Sequence, residues 1–265
     1  MAKLTVSMPH WRTPSDLLRR AVHSVLDQTF TDLRLIVVND GEDPEKVWEP
    51  LSDIDDPRLI RFDLDTNRGR YYADAVTLKA CDTEWWTPHD ADDWSEPHRY
   101  ETLMQALGDK PAVFSPSIIF TRDGREVLSE VRPDRLVPPA IGTIAKYPAG
   151  IYRTQVAKAV GGPHPELRGS YDTTFVSLVW YAFKPVVVEE PLYHVYKRKG
   201  SLTTSKATHL KSDWRKQQRK RRKALYRKAI SEPVRRWPNV LRPSEAVAKA
   251  LDADSRRLKA MLQGA

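Results

Sequence analysis

Four polar clusters in the first hundred residues combine residue types that suit a phosphorylated ligand and a divalent cation. In chain order they are Pro9-His10-Trp11-Arg12, Asn39-Asp40-Gly41-Glu42, Asn67-Arg68-Gly69-Arg70 and His89-Asp90-Ala91-Asp92-Asp93. An aromatic ring can stack on a nucleotide base, a guanidinium offsets phosphate charge, and closely spaced carboxylates bind Mg²⁺ or Mn²⁺ through oxygen. Together the clusters indicate a site for a nucleoside diphosphate and a metal ion.

The segments between these clusters predict the elements that position them. Apolar runs indicate strands at 3–8 (broken by Pro9), 33–38, 59–62 and 85–87. Helical spacing indicates helices at 71–80 and 97–107, and one that Thr13 caps and Pro14 opens. This alternation predicts a mostly parallel α/β sheet with helices on both faces. Because such sheets bind ligands at the carboxyl ends of their strands, the clusters should meet at one edge.

Beyond residue 110 the pattern is less regular. Strands are predicted at 112–120 and 186–188, helices at 154–160 and 173–180, and an irregular loop at 133–148. A final helix carries one apolar stripe and should therefore pack on the body; the stripe consists of Val247, Ala250, Leu251, Leu258 and Leu262.

Composition excludes several classes of protein. The chain has 265 residues, of which 40% are hydrophobic and one is a cysteine, Cys81. A single cysteine rules out a disulfide framework or a cysteine-rich zinc site and favours a reducing, cytoplasmic compartment. We expect no signal peptide, and no run approaches the roughly 18 apolar residues that a membrane span needs.

The net charge of +8 is concentrated near the end of the chain. Residues 206–228 hold eleven lysines and arginines against Asp213 alone, a net +10, so the remaining residues together carry −2. This division predicts a near-neutral domain at 1–204 and a basic helical extension at 205–265.

Five ordered segments resemble the motifs of one enzyme family. The segments are VSMPHW, SVLDQTF, LRLIVVNDGED, NRGRYYADAV and PHDADDW. They are similar to the family 2 glycosyltransferases of the GT-A fold, closely through residue 105 and more weakly through Gly161-Gly162, Ser170-Tyr171-Asp172 and Tyr196-Lys197-Arg198-Lys199. The resemblance implies a Rossmann-like GT-A sheet and transfer of a sugar from a nucleotide-sugar, with inversion at the anomeric carbon.

The resemblance also implies roles for individual residues in binding the donor. Trp11, in the Pro9-His10-Trp11 segment, would stack on the base, most often uracil, and Asp40 would contact the edge of that base. Arg70 would lie near the base or the diphosphate, in the motif that begins at Asn67. UDP-glucose is the donor that the family suggests, although no residue type here specifies the sugar.

The metal and the catalytic base are implied in the same way. Asp90-Ala91-Asp92 corresponds to the D-x-D motif, with Asp92 contacting Mn²⁺ or Mg²⁺ and Asp90 nearer the ribose and metal-bound water. Asp172 matches the general base, a carboxylate that takes the proton of the acceptor hydroxyl. Two positions depart from the family pattern. Asn39 replaces an aspartate, and Lys199 replaces a metal-binding histidine, which leaves Lys199 to pair with the diphosphate and His194 as a substitute metal ligand.

Each assignment has a structural alternative. The aspartates at 90, 92 and 93 suit the cap of a helix near Pro97, and Trp11 suits a half-buried core position. Arg70 suits a solvated loop, Asp172 a helix N-cap and Asp40 a plain turn. We expect His10 and His89 to be hydrogen-bonded structural residues.

The basic extension bears on the acceptor. Its central cations are Arg215, Lys216, Arg219, Lys220, Arg221, Arg222 and Lys223. With Trp214, Tyr226 and Trp237 interleaved, this strip suits binding of a polyphosphate. The alternative is a solvated run of charges whose aliphatic side-chain stems cover the surface of the rest of the protein. It lacks the wide apolar face of a membrane-surface helix.

The chain resembles short members of the family encoded by bacteriophages, which are associated with sugar transfer to hydroxymethylated bases in DNA or to virion proteins. The charge distribution favours DNA as the acceptor. In that hypothesis the strip, with Arg235, Arg236 and Arg242, grips phosphates while a hydroxymethylated pyrimidine is turned out toward Asp172. A virion protein or a saccharide is the alternative acceptor, and a non-catalytic nucleic-acid-binding module is the alternative class. A nucleotidyltransferase is disfavoured because PHWRTP contains no glycine for a phosphate loop. Nothing in the sequence indicates the oligomeric state.

Overall fold

Short apolar segments form thirteen strands in the computed structural model, which describes residues 2–264. They are β1 (Leu4–His10), β2 (Leu33–Asp40), β3 (Leu59–Leu64), β4 (Trp85–Pro88), β5 (Trp94–Ser95), β6 (Ala112–Phe114), β7 (Ser117–Phe120), β8 (Glu126–Ser129), β9 (Leu136–Val137), β10 (Ala140–Ile141), β11 (Gly150–Arg153), β12 (Val186–Val187) and β13 (Tyr193–Tyr196).

The α-helices lie between and after these strands. They are α1 (Ser15–Leu26), α2 (Pro44–Trp48), α3 (Arg70–Ala80), α4 (Arg99–Leu107), α5 (Thr154–Ala159), α6 (Tyr171–Ala182), α7 (Asp213–Ile230), α8 (Trp237–Val240) and α9 (Glu245–Gly264).

Seven strands form the main sheet, in the order β12-β6-β11-β4-β1-β2-β3. Strands β4, β1, β2 and β3 are parallel, and β11 is antiparallel to its neighbours β4 and β6. The predicted mostly parallel α/β sheet is therefore confirmed. A second sheet, β5-β13-β7-β8, packs beside the main one and carries β13 close to the end of β4.

Four local predictions differ from the structure. Strand β1 continues through Pro9 to His10, because β4 pairs with β1 only as far as Ser7 and a residue without an N–H is tolerated where one side is open. The predicted strand 112–120 is two strands in different sheets, separated at Pro116. The 133–148 loop contains the β9–β10 hairpin and two short 3₁₀ turns, and Pro14, not Thr13, occupies the N-cap of α1.

The hydrophobic core lies on both faces of the main sheet. Helices α1 and α4 cover one face through residues such as Val22 and Leu103. Helix α9 packs on α3 on the other face, where Leu258 is fully buried and Val247, Leu251 and Leu262 adjoin it. The prediction that the final apolar stripe packs on the body is confirmed.

The basic extension also contributes to the core. Tyr226 and Trp237 are completely buried in the cluster that contains Trp86 and Phe175. The boundary between residues 204 and 205 stays a prediction, and side chains from both sides of it share the same core. No helix in residues 2–264 combines the length and apolarity of a membrane span.

Candidate active site

The four polar clusters meet along the carboxyl edge of β1, β2 and β4. His10 Nε2 lies 3.3 Å from a Glu42 carboxylate oxygen, which joins the first cluster to the second. Asp40 accepts hydrogen bonds from the third cluster, and Arg70 of that cluster forms an ion pair with Asp90 of the fourth. This contiguity is what the parallel topology predicts.

A cavity of about 440 Å³ opens at the first and second clusters, a volume that suits a small ligand. Trp11 borders it with 42% of its surface exposed, so the alternative of a core position does not describe this residue. The Arg12 guanidinium lies 4.6 Å from the centroid of the Trp11 ring. An exposed ring at a cavity mouth can stack on a planar ligand.

The Asp40 carboxylate organises the loop that precedes α3. It accepts hydrogen bonds from Arg68 N at 2.7 Å, Gly69 N at 2.8 Å and Asn67 Nδ2 at 3.0 Å. Burial raises the pKa of Asp40 to about 6, although the two backbone hydrogen bonds oppose the rise. Oδ1 accepts only one of these three bonds, so the carboxylate keeps acceptor capacity for a base edge; that contact stays a prediction.

Glycine is required directly after Asp40. Gly41 has φ +81°, and a Cβ there would lie 2.3 Å from Asn67 N. The second and third clusters can approach this closely only because the side chain is missing.

Three carboxylates form the acidic centre of the site. Oxygens of Asp90, Asp92 and Asp93 lie within 4.8 Å of one another. Arg70 pairs with Asp90, and Arg198 Nε donates to Asp92 Oδ2 at 2.7 Å. Burial raises the pKa of both Asp90 and Asp93.

The donor set fits Mg²⁺ or Mn²⁺, since it offers hard oxygen ligands with several negative charges. Both oxygens of Asp93 already accept hydrogen bonds, from Tyr193 OH and Tyr196 N, each at 2.8 Å. Asp90 and Asp92 each keep one oxygen without a hydrogen-bond donor from the described residues. These two aspartates are therefore the ones that would hold the ion, while Asp93 ties β13 to the acidic loop.

His194 does not join the acidic centre, which corrects the expectation that it is a metal ligand. Its Nε2 lies 2.6 Å from Glu96, and its ring stacks on Trp94 at 5.0 Å. Successive side chains of a strand point to opposite faces. Because Tyr193 of β13 reaches Asp93, its neighbour His194 faces away.

In the YKRK segment, Arg198 contacts the acidic centre and Lys199 does not. Lys199 is exposed, so its predicted contact with a diphosphate stays a prediction. Arg20 also reaches this centre, donating to the Asp92 carbonyl at 2.9 Å while its guanidinium lies over Trp94. Sequence analysis missed both arginines, although the planar guanidinium in the YKRK segment was a signal for carboxylate or phosphate recognition.

The remaining predicted donor residues play supporting parts. Asn67 accepts hydrogen bonds from Arg168 through its carbonyl and its side chain, and Ala91 is buried. Burial lowers the pKa of His10, and it lowers that of His89 to about 3. His89 contacts Ser95 at 3.2 Å, as expected of a structural histidine.

Asp172 lies in the first turn of α6. It is not the N-cap, since Ser170 occupies that position with φ +67°. Tyr71 OH lies 3.1 Å from both Asp172 Oδ1 and Asp172 N. The charge of Asp172 adds to burial in raising the pKa of Asp90.

Sequence analysis also missed a lysine whose pKa responds to these carboxylates. Burial lowers the pKa of Lys146, Lys197 lowers it further, and the charges of Asp172, Asp93 and Asp90 oppose this. Lys146 comes from the proline-rich loop before β11, where the sequence carries no local signal of function.

The basic strip divides between the core and solvent. Arg215 and Arg222 are buried against α6, which corrects the expectation that they contact nucleic acid. The helical period places them on one face with Gln218, Tyr226 and Ala229. Lys216, Lys220, Arg221 and Lys223 are exposed, and Arg219 is partly buried.

Asp74 connects the site to the core of α3. It is fully buried, Ser7 Oγ donates to its Oδ1 at 2.8 Å, and Arg70 Nη2 lies 3.6 Å from its Oδ2. Burial raises the pKa of Asp74 to about 7, with the Arg70 charge opposing the rise.

The raised pKa of Asp74 predicts a pH-dependent stability. Between its unfolded pKa near 4 and its folded pKa of about 7, the folded protein binds the proton more tightly, so stability falls as pH rises through this window. Between pH 5 and pH 7, we expect the free energy of unfolding of Asp74→Asn to fall by about 2 kcal/mol less than that of the wild type. Urea unfolding at both pH values measures this, and parallel losses would refute the assignment.

Three comparisons place these features among known proteins. Residues 5–157, more than half of the chain, match the family model described as "Glycosyl transferase family 2". A curated relative is the "Teichoic acid poly(glycerol phosphate) polymerase" of Staphylococcus epidermidis, 27% identical over 125 residues, which are 46% of this chain and 17% of that protein.

Solved structures of S. aureus TarS share the fold. The complex of TarS 1-349 with UDP-GlcNAc has a TM-score of 0.62 at 20% identity, covering 75% of this chain and 60% of that one. The complex with UDP has a TM-score of 0.60 at 20% identity, covering 74% of this chain and 60% of that one. The predicted GT-A fold is confirmed, and the chain spans only part of the length of each of these relatives.

Proposed function

The chain belongs to glycosyltransferase family 2, and from this premise we propose that it transfers a sugar from a nucleotide-sugar to an acceptor hydroxyl. The observation that carries the proposal is the acidic centre of Asp90, Asp92 and Asp93 at the same sheet edge as the exposed Trp11. A base on Trp11, a diphosphate on the arginines and a sugar facing Asp172 fill this edge from end to end. The solved UDP and UDP-GlcNAc complexes of TarS support a uridine nucleotide as the donor.

Each residue contributes a separate part of the reaction. Asp172 accepts the proton of the acceptor hydroxyl as its oxygen attacks the anomeric carbon, and Tyr71 orients this carboxylate through its hydroxyl. Arg70 and Arg198 stabilise the charge on the departing diphosphate, for which they leave Asp90 and Asp92. A divalent ion held by those two aspartates would supply further stabilisation of the leaving group.

For the acceptor we propose a saccharide or polyol polymer. The relative named as a teichoic acid polymerase supports this choice, although the chain covers only 17% of its length. The comparisons offer no support for DNA as acceptor or for the resemblance to phage proteins. Of the three aromatic residues interleaved in the basic strip, Trp214 has its ring against Gly169, and Tyr226 and Trp237 are fully buried.

The proposed function is tested by transfer of labelled sugar. The protein is incubated with Mn²⁺ and labelled UDP-GlcNAc or UDP-glucose, in parallel with a teichoic acid, hydroxymethylcytosine DNA and a protein acceptor. We expect label in the teichoic acid. Label in DNA alone would restore the charge-based hypothesis, and no release of UDP with any acceptor would contradict the proposed function.

Trp11→Ala should weaken binding of UDP by about 10-fold or more, because stacking of a base on an aromatic ring contributes roughly 1–3 kcal/mol. Isothermal titration calorimetry of UDP measures the effect. Tyr181→Ala removes another exposed aromatic, on α6 beside Trp237, and should leave UDP binding within about twofold. Equal affinities of the two variants would place the base elsewhere.

A further inference from the structure

Four cations form one line along the exposed side of α7. Lys216, Lys220, Lys223 and Arg227 are spaced by four, three and four residues, which places them on a single stripe, and all four are exposed. At 1.5 Å rise per residue the stripe is about 16 Å long. We call these four residues the phosphate ridge.

The charges of the ridge are available to a ligand. Within residues 2–264, Lys220, Lys223 and Arg227 form no salt bridge, and Lys216 pairs only with Asp213, its neighbour on the same helix, at 2.8 Å. A line of unpaired like charges is unfavourable by itself, and a polyanion would relieve it.

The ridge lies on the helix that packs beside the catalytic base. On the buried face of this helix, Arg215 donates to Ser170 Oγ at 3.3 Å, and Ser170 lies two residues before Asp172. One turn further along the same face, Gln218 accepts a hydrogen bond from Arg168 N at 3.2 Å. The ridge therefore occupies the solvent side of a helix whose buried face lies against the segment that leads to Asp172.

A second cavity adjoins the far half of α7. It has a volume of about 280 Å³ and is lined by three cations, Arg221, Lys228 and Arg242. The one carboxylate in its wall, Glu166, is already held by Ser244 N at 2.8 Å. The cavity continues the positive surface of the ridge around the helix.

The ridge offers charge without base recognition. Single-stranded nucleic acids are held by aromatic rings on which bases stack, but Tyr226 and Trp237 are completely buried. A duplex presents two rows of phosphates separated by a groove, whereas the ridge is one narrow line. These features favour a single chain of phosphates that carries no bases.

We propose that the phosphate ridge binds the acceptor, a flexible polymer of polyol or sugar units joined by phosphodiesters, and leads its hydroxyl to Asp172. This inference rests on the proposed function and names the substrate class of the same site. The polymer lies along α7 with successive phosphates on successive cations, and the second cavity receives a unit farther from the reacting end.

The test compares two triple variants that remove the same charge. Lys220→Gln/Lys223→Gln/Arg227→Gln neutralises the ridge, and Lys249→Gln/Arg256→Gln/Lys259→Gln neutralises three exposed cations of α9. Binding of poly(glycerol phosphate) is measured without donor by calorimetry at several salt concentrations. Transfer is measured to the same polymer and to glycerol as an uncharged acceptor.

We expect the ridge variant to bind the polymer at least 10-fold more weakly, with the slope of log affinity against log salt reduced by about 2. Its KM for the polymer should rise. Its kcat and its rate of transfer to glycerol should equal those of the α9 variant. Equal polymer binding by the two variants would overturn the inference, as would tighter binding of a DNA oligonucleotide than of the polymer. If the wild-type protein binds the polymer but releases no UDP, the proposed function is contradicted while the ridge assignment stays supported.

Discussion

Asp172→Asn should reduce kcat for sugar transfer by about 100-fold or more, since positioned general bases typically contribute 10²–10⁴-fold. The amide keeps the shape of the side chain and can still accept the Tyr71 hydroxyl bond, but it cannot take a proton from the acceptor. Affinity for the nucleotide-sugar should change by less than about twofold because Asp172 lies on the acceptor side. Initial rates and donor titrations measure the two effects separately.

Two further variants make this result specific. Tyr71→Phe removes only the hydroxyl that orients Asp172 and should reduce kcat less than Asp172→Asn does. Asp109→Asn changes an exposed aspartate after α4 and should behave as wild type. If Asp172→Asn keeps the wild-type kcat, or if it loses donor affinity instead, Asp172 is not the base.

Asp92→Asn should weaken metal-dependent binding of UDP by about 100-fold or more. Loss of an outer-shell partner of a metal ligand already costs 10–100-fold, and this change removes a charged ligand oxygen itself. The loss should be seen in Mn²⁺ titrations followed by calorimetry or electron paramagnetic resonance. UDP binding measured with EDTA should differ little between this variant and the wild type.

Arg198→Ala provides the opposite change at the same carboxylate. Because Arg198 Nε donates to Asp92 Oδ2, its removal frees an oxygen and should increase Mn²⁺ affinity in the absence of donor. Donor turnover should fall, since the cation that stabilises the diphosphate is lost. Wild-type Mn²⁺ affinity in both variants would show that Asp92 does not contact the metal.

The donor side of the site is the part that the sequence predicts best. Asp90, Asp92 and Asp93 are adjacent in the chain, so any fold that ends β4 before them keeps them together. Trp11 and Asp40 follow parallel neighbouring strands, and their proximity follows from strand order alone. Local spacing and strand order are sufficient for these residues because the three aspartates are adjacent in the chain and β1 and β2 are neighbours in the sheet.

The cations around the acidic centre needed the tertiary structure. Arg198 and Arg20 come from separate segments, and only the YKRK segment around Arg198 carries a local signal of anion recognition. His194 was misassigned for a related reason. Residue type suggested a ligand, but its direction depends on which face of β13 lies against Asp93.

The basic strip shows where sequence and tertiary structure each decide. Composition by itself determined that a strongly cationic segment follows a near-neutral one, and periodicity determined the alternation of strands and helices through the first 107 residues, because both depend on residues close together in the chain. Only the packing of α7 on α6 decided that Arg215 and Arg222 are buried beside Asp172 while Lys220 and Lys223 face solvent. A helix that is charged on nearly every side has no apolar stripe to indicate its buried face, so its contacts with the rest of the fold make that choice.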